Sequence, residues 1–168
     1  MTTEFPGGGA PAAPERVRTA LAARGLVVEV VEFTESTRTA EEAARAVGAT
    51  VGQIVKSLVF VVDGRPVLVL TSGANRVDLK KVARLAGASR VEKATAEITR
   101  AATGFSIGGV PPVGHPSPLP VFVDETLLRF AVVYAAAGTP HAIFAIAPRD
   151  LARVTEGIVA DIAEPARA

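Results

Sequence analysis

The chain has 168 residues, 49% of them hydrophobic and 21% charged, with a net charge of +1, two histidines (His115 and His141) and no cysteine. That length suits one domain able to bury roughly two thirds of the surface its unfolded form exposes. The lack of cysteine excludes disulfides, thiolate zinc sites, iron–sulfur clusters and a cysteine nucleophile, and two histidines are too few for an all-protein metal cage to be expected.

Residues 1–13 are rich in Gly, Pro and Ala and read as a disordered tail, with no basic or apolar leader segment. Pro14 suits a first helical position, and Val17, Ala20 and Leu21 follow at helical spacing before Gly25, which predicts a helix over 14–24. The β-branched run 26–33 reads as a strand, and Thr39 with Glu42 has the spacing of a capping box for a helix that Gly48 ends. Thr50 with Gln53 repeats that spacing over a single turn. Two apolar runs, VKSLVFVV at 55–62 and RPVLVLT at 65–71, flank Asp63-Gly64, a strong hairpin signal.

Asp78 caps a further helix that Gly87 ends, on which Leu79, Val82 and Ala83 share one face and Lys80 and Arg84 another. A short strand near 89–93 and a helical stretch near 95–102 precede TGFSIGGVPPVGH at 103–115, a loop with four glycines and two prolines. Strands are expected at 119–124, 130–137 and 141–147, then a helix opened by Pro148, with 164–168 as a frayed end. Strands and helices interleave, yet Asp-Gly and Gly-Thr-Pro turns join strands directly. The expected class is therefore α/β: one compact domain over 14–163 with a mixed, largely antiparallel, barrel-like sheet flanked by helices. No apolar run approaches a membrane span, so a soluble, cytoplasmic protein with no membrane partner is expected.

Between Arg76 and Arg100 seven basic residues stand against three acidic ones, so a nearly neutral chain carries a local basic patch. Lys80, Lys81 and Arg84 on its helix are the candidate phosphate contacts; the alternative is an ordinary solvated face. GQIVKS at 52–57 is no phosphate loop, because Val55 stands where that motif needs glycine. Ser106, His115 and Asp124 make a serine triad only on paper, without a nucleophile elbow. Lys56 opens a strand that is apolar on both faces, so its ammonium either reaches water at the strand end or enters a cleft to hold a phosphate or carboxylate. The glycine loop either shapes a corner of the fold or presents backbone N–H groups to an ester carbonyl that turns negative on attack.

These residues carry a resemblance. Lys56-Ser57 after a Val-x-Gln-Ile-Val turn, VDLKKVARLAGASRVE at 77–92, the Gly-x-x-x-Pro from Gly108 to Pro112, and YAAAGTPH followed by PRDL resemble the YbaK/EbsC family of aminoacyl-tRNA deacylases, which includes the editing domain of bacterial prolyl-tRNA synthetases and its free-standing relatives. The resemblance implies hydrolysis of the ester of a mischarged tRNA without metal or cofactor, the 2′-hydroxyl of the terminal ribose and a bound water taking part. It implies Lys56 near the terminal adenosine and Gly108 at the ester as the catalytic pair, with Ser57, Gly109, Pro112, Gly138 and His141 around the substrate. His141 matches a histidine of the alanine-clearing members, and apolar residues near Ile143 replace an aspartate of the cysteine-clearing ones, so alanine on tRNA for proline is the expected substrate. The implied partners are the acceptor end of the aminoacyl-tRNA and, in trans, prolyl-tRNA synthetase, with no DNA. The alternative is a non-catalytic module that binds a tRNA 3′ end or a synthetase.

Overall fold

The computed structural model describes residues 12–165; the expected tail and frayed end lie outside these apart from residues 12–13 and 164–165. Helix α1 (Ala13–Ala22) has Pro14 in its first turn and buries Val17 and Leu21. Strand β1 (Val30–Glu32) is much shorter than the apolar run that announces it, and Val27 is 91% exposed because nothing pairs with that part of the chain. Helix α2 (Ala40–Val47) opens on the capping box: Glu42 N–H donates to Thr39 Oγ1 and Thr39 N–H to Glu42 Oε1, both at 3.1 Å. After a 3-10 turn at Val51–Gln53, strands β2 (Val55–Val62) and β3 (Arg65–Ser72) form the hairpin. Asp63 and Gly64 both have positive φ (47° and 85°), the backbone that matches a two-residue turn to the twist of its strands.

Helix α3 (Leu79–Ala86) is capped by Asp78, and β4 (Val91–Lys93) and α4 (Ala96–Thr103) follow. The glycine-rich segment then runs without regular structure to β5 (Val121–Asp124) and a 3-10 turn at Glu125–Arg129. Strands β6 (Val133–Ala136) and β7 (Ala142–Ile146), helix α5 (Pro148–Thr155) and strand β8 (Ile158–Ala160) complete the chain. β8 has no counterpart among the elements read from the sequence.

The strands form two sheets. One has the order β4-β2-β3-β5-β8, antiparallel at β4/β2 and β2/β3 and parallel at β3/β5 and β5/β8. The other, β1-β7-β6, is antiparallel throughout. Neither closes on itself, which corrects the barrel-like expectation. The strands of the second sheet are three to five residues long, too short to wrap round, and they meet the first sheet through the Ile54–Tyr134 bridge.

β3 lies between β2 and β5 and is buried on both faces, which explains why its sequence is continuously apolar rather than alternating. Leu68 and Leu70 enter a core shared with Val17, Leu21, Phe105, Val123 and Phe144, while Val67 and Val69 meet Val82 of α3 and Ile162 on the other side. Each such side chain contributes roughly 1.5–3 kcal/mol by leaving water. A one-residue slip of β3 would exchange the two sets, so the register of Lys56 opposite Thr71 is firmly held. A third cluster, with Ala40, Ala43, Ala44, Ile54 and Ile143, seats α2 on the second sheet.

Candidate active site

A cleft of about 350 Å³ opens where the two sheets meet. Its floor is Ile54 and the start of β2 to Leu58, including Lys56 and Ser57; one wall is Arg38, just before α2, with Glu41 in its first turn; the loop residues Ile107, Gly108 and Val110 form the opposite side; and Tyr134, Ala135, Ala136 and Ile143 close the back. Lys56, Ser57 and Gly108 therefore share one cavity although two come from the hairpin and one from the glycine loop.

Lys56 is half-buried, and its Nζ donates to the backbone oxygen of Asn75 at 2.7 Å. Burial pushes its pKa below the ordinary 10.5, and the positive charges of Arg76 and Lys93 act in the same direction, while Glu41 and Asp124 oppose them. No carboxylate lies within ion-pair distance of Lys56 among the described residues. A half-buried ammonium tied to a single neutral carbonyl keeps donor capacity and charge for a ligand.

The turn that supplies this carbonyl is built on Asp124, at the end of β5. Its Oδ2 accepts from Thr71 Oγ1 (3.1 Å), Ser72 N–H (3.1 Å) and Asn75 Nδ2 (2.9 Å), and its Oδ1 from Thr126 N–H (3.0 Å). Asp124 is fully buried, which by itself would raise its pKa, but the donors from Asn75, Thr126 and Ser72 outweigh that and hold it below 3.8. Asn75 and Asp124 were not singled out as a support for Lys56 in the sequence; the available signal was a carboxylate ending the apolar run LPVFVD.

Ser57 Oγ is buried and has no hydrogen-bond partner among the described residues. An unpaired buried hydroxyl costs about 1–3 kcal/mol, a penalty that a bound ligand can remove. In the glycine loop Gly108 has φ +94°, and a β-carbon there would lie 2.5 Å from Arg38 Cγ. Gly109 N–H is used within the loop, donating to Ser106 O at 3.0 Å, whereas the N–H groups of Gly108 and Val110 have no acceptor among the described residues. Gly108 and Val110 both line the cleft, so the unpaired N–H groups of the loop belong to cleft residues.

Other candidates fall elsewhere. Gly109 lets the loop touch the next turn, since a β-carbon would sit 2.8 Å from the backbone of Thr139, and Gly138 (φ +98°) packs against Ala13 and Phe105. Pro112 is buried and faces a second hollow with His115 and Arg24. His141 is exposed, with Nδ1 3.1 Å from Glu35 O, and does not line the cleft. On α3, Lys81 is committed to Asp161 Oδ2 and Ala163 O, both at 2.8 Å, while Lys80 and Arg84 face solvent. The paper triad dissolves: Ser106 Oγ accepts from Arg100, His115 Nε2 lies 2.9 Å from Pro111 O, and Asp124 is occupied as above.

A half-buried cation, a hydroxyl and N–H groups without partners among the described residues thus line one cleft, a chemistry that suits an oxygen-rich, anionic ligand. The model of the aminoacyl-tRNA editing domain matches residues 34–154, which include every element of this cleft. EbsC of Enterococcus faecalis, a candidate Cys-tRNA(Pro)/Cys-tRNA(Cys) deacylase, is 30% identical over 131 residues, covering 77% of this chain and 80% of its own. The proline–tRNA ligase of Bacillus licheniformis is 39% identical over 105 residues, 62% of this chain but 18% of the ligase. A crystal structure of a candidate trans-editing enzyme for prolyl tRNA synthetase superposes with a TM-score of 0.87 at 52% identity, covering 94% of this chain and 100% of that one. The chain belongs to the aminoacyl-tRNA editing family, in its YbaK/EbsC group.

Proposed function

We propose that this protein is a stand-alone deacylase that clears a small amino acid, alanine in preference to cysteine, from mischarged tRNA for proline, in the cytoplasm and alongside prolyl-tRNA synthetase. The observation that carries the reading is the meeting of Lys56, Ser57 and Gly108 in one cleft of about 350 Å³. Lys56 places the 3′ end by charge, and the N–H groups of Gly108 and Val110 receive the ester carbonyl. Water adds to the carbonyl carbon, the oxygen takes the negative charge beside those donors, and the bond to the ribose oxygen breaks as that oxygen is protonated. Free amino acid and a tRNA with its hydroxyls restored leave the site. The protein contributes placement and charge stabilisation rather than a nucleophile. Because His141 lies outside the cleft lining, size selection falls to Ala135, Ala136 and Ile143 at its back. No helix among the described residues is long and apolar enough to cross a membrane, in keeping with a protein that meets tRNA in water.

The test is deacylation of Ala-, Cys- and Pro-tRNA(Pro) by the purified chain. Rapid loss of alanine with proline spared is expected. Tight tRNA binding with no turnover on any of the three would leave the non-catalytic module as the better reading.

A further inference from the structure

In the sequence Arg38 is one residue of a polar turn, but the structure sets this exposed side chain at the mouth of the cleft. Its segment is fixed on both sides. Arg38 N–H donates to Ser36 Oγ at 3.2 Å, and Thr39 caps α2. Buried Thr37 ties the turn to Pro140 O through its N–H (2.7 Å) and its hydroxyl (3.1 Å). From this base the aliphatic stem of Arg38 crosses the glycine loop, so that a β-carbon on Gly108 would meet its Cγ at 2.5 Å and its Cδ and Nε at 3.0 Å.

The guanidinium has no hydrogen bond and no ion pair among the described residues. Other arginines have partners within the chain, Arg16 stacking on Phe105, Arg18 pairing with Glu15, Arg90 with Glu92, Arg153 with Asp150 and Arg100 holding Ser106, and among the described arginines without one Arg38 is the one that lines the cleft. Glu41 lines the same cleft, yet it is not paired with Arg38. Lys56 lies on the cleft floor, and Arg76 and Lys93 are near enough for their charge to act on it. An unpaired planar cation on a rigid turn, stacked over the loop that carries the free N–H donors, is suited to a phosphodiester oxygen pair.

We infer that Arg38 is a substrate-binding residue that holds a backbone phosphate of the RNA 3′ strand and thereby lays the terminal ribose against the Gly108 loop. The inference rests on the deacylase reading for its substrate. It adds a contact that neither Lys56 nor the basic face of α3 supplies, and it gives the missing side chain of Gly108 a second role, that of a seat for the arginine stem.

The test uses Arg38→Met, which keeps an aliphatic stem on Gly108 and removes the charge, and Arg38→Lys, which keeps the charge without the fork. Two esters serve as substrates: an alanylated RNA minihelix, which has phosphates, and alanyl-adenosine, which has none. Arg38→Met is expected to raise KM for the minihelix about 10-fold with kcat nearly unchanged, to lower the salt dependence of binding by about one phosphate contact, and to leave alanyl-adenosine hydrolysis within about 2-fold. Arg38→Lys is expected to recover much of the minihelix affinity. Equal losses on both esters would assign Arg38 to packing of the loop and overturn the inference, as would no change on either. Should the wild-type chain hydrolyse neither ester, the deacylase reading fails, and the uncharged minihelix still decides on Arg38: it must bind Arg38→Met about 10-fold more weakly, or the phosphate contact is wrong.

Discussion

Lys81 on α3 and Lys56 on β2 both place their ammonium groups in hydrogen bonds, yet the two sites differ in what remains for a ligand. Lys81, itself part-buried, is neutralised by Asp161 and also donates to Ala163 O, beside the exposed Lys80 and Arg84. Lys56 is half-buried, held by one backbone oxygen and without a carboxylate partner. The α3 cluster is the denser in sequence, but a pair of charges 4 Å apart is worth about 1 kcal/mol in water and about 4 kcal/mol at the effective dielectric near a protein surface. What separates the two lysines is the partner rather than the number of charges in a segment: a carboxylate meets the charge of Lys81, and none meets that of Lys56 among the described residues.

The sharpest way to break that contrast is Gly108→Ala, on the wall facing Arg38. The substitution forces a side chain into positive φ, displaces the arginine stem and disturbs the N–H donors. Loss of well-placed oxyanion donors is typically worth ~100-fold or more in rate, so single-turnover deacylation should fall by about that factor. The strain itself should cost only about 1–2 kcal/mol of stability. Wild-type rates in this variant would remove the loop from the chemistry.

Next comes Asp124→Asn, which tests whether the cleft lysine depends on its buried support. The new amide sets a donor against the donors of Thr71, Ser72, Asn75 and Thr126, and about 1–3 kcal/mol of stability should be lost at neutral pH in a urea titration. The sign of the pH dependence follows from the depressed pKa of Asp124. Its stabilisation is complete above the ordinary 3.8 and is lost as pH falls through the lower folded value, so the gap between wild type and variant should narrow in acid. A gap independent of pH would mean that shape rather than charge matters there.

Lys56→Ala should lower deacylation by at least ~10-fold, about 1.4 kcal/mol of transition-state stabilisation, with little change in melting temperature. Its folded pKa lies below 10.5, so the ammonium and the rate that depends on it should fade before that pH is reached. Stability moves the other way, rising with pH across that window because the unfolded chain binds the proton more tightly. Lys56→Arg should extend the active plateau to higher pH, and an identical alkaline limb in wild type and Lys56→Arg would exclude Lys56 as its source.

The smallest effect belongs to α3. With Lys81 committed to Asp161, the double change Lys80→Ala with Arg84→Ala removes the charges that face solvent. The salt slope of tRNA binding should drop by no more than about 2, similarly for different tRNA sequences, while hydrolysis of alanyl-adenosine stays unchanged. An unaltered slope would leave this face with no part in binding.

Much of the local architecture was legible because its causes lie within three or four residues. The Thr39–Glu42 box, the Asp63-Gly64 turn, the Asp78 cap and Pro148 at the head of α5 each satisfy or preset backbone groups of their immediate neighbours. The cleft was legible in part: Lys56 stood out as a charge in an apolar strand, and Gly108 as one of several glycines without any sign of which faced a ligand. The resemblance singles out Gly108, and it also names Pro112 and His141, which do not line the cavity.

Sequence alone thus determined the helices and the central hairpin, the lysine at its start and the absence of thiol chemistry, since these rest on covalent composition and short-range hydrogen bonding. Tertiary structure alone decided that the strands form two open sheets rather than a closed one, and that β8 exists, because a three-residue strand is stabilised only by its distant partner β5. It also decided that Asn75 O receives Lys56, that Asp124 holds Asn75, and that Arg38 lies on Gly108. Those contacts join segments far apart in the chain, and their strength depends on how much water the packed sheets exclude, which no local pattern of residues encodes.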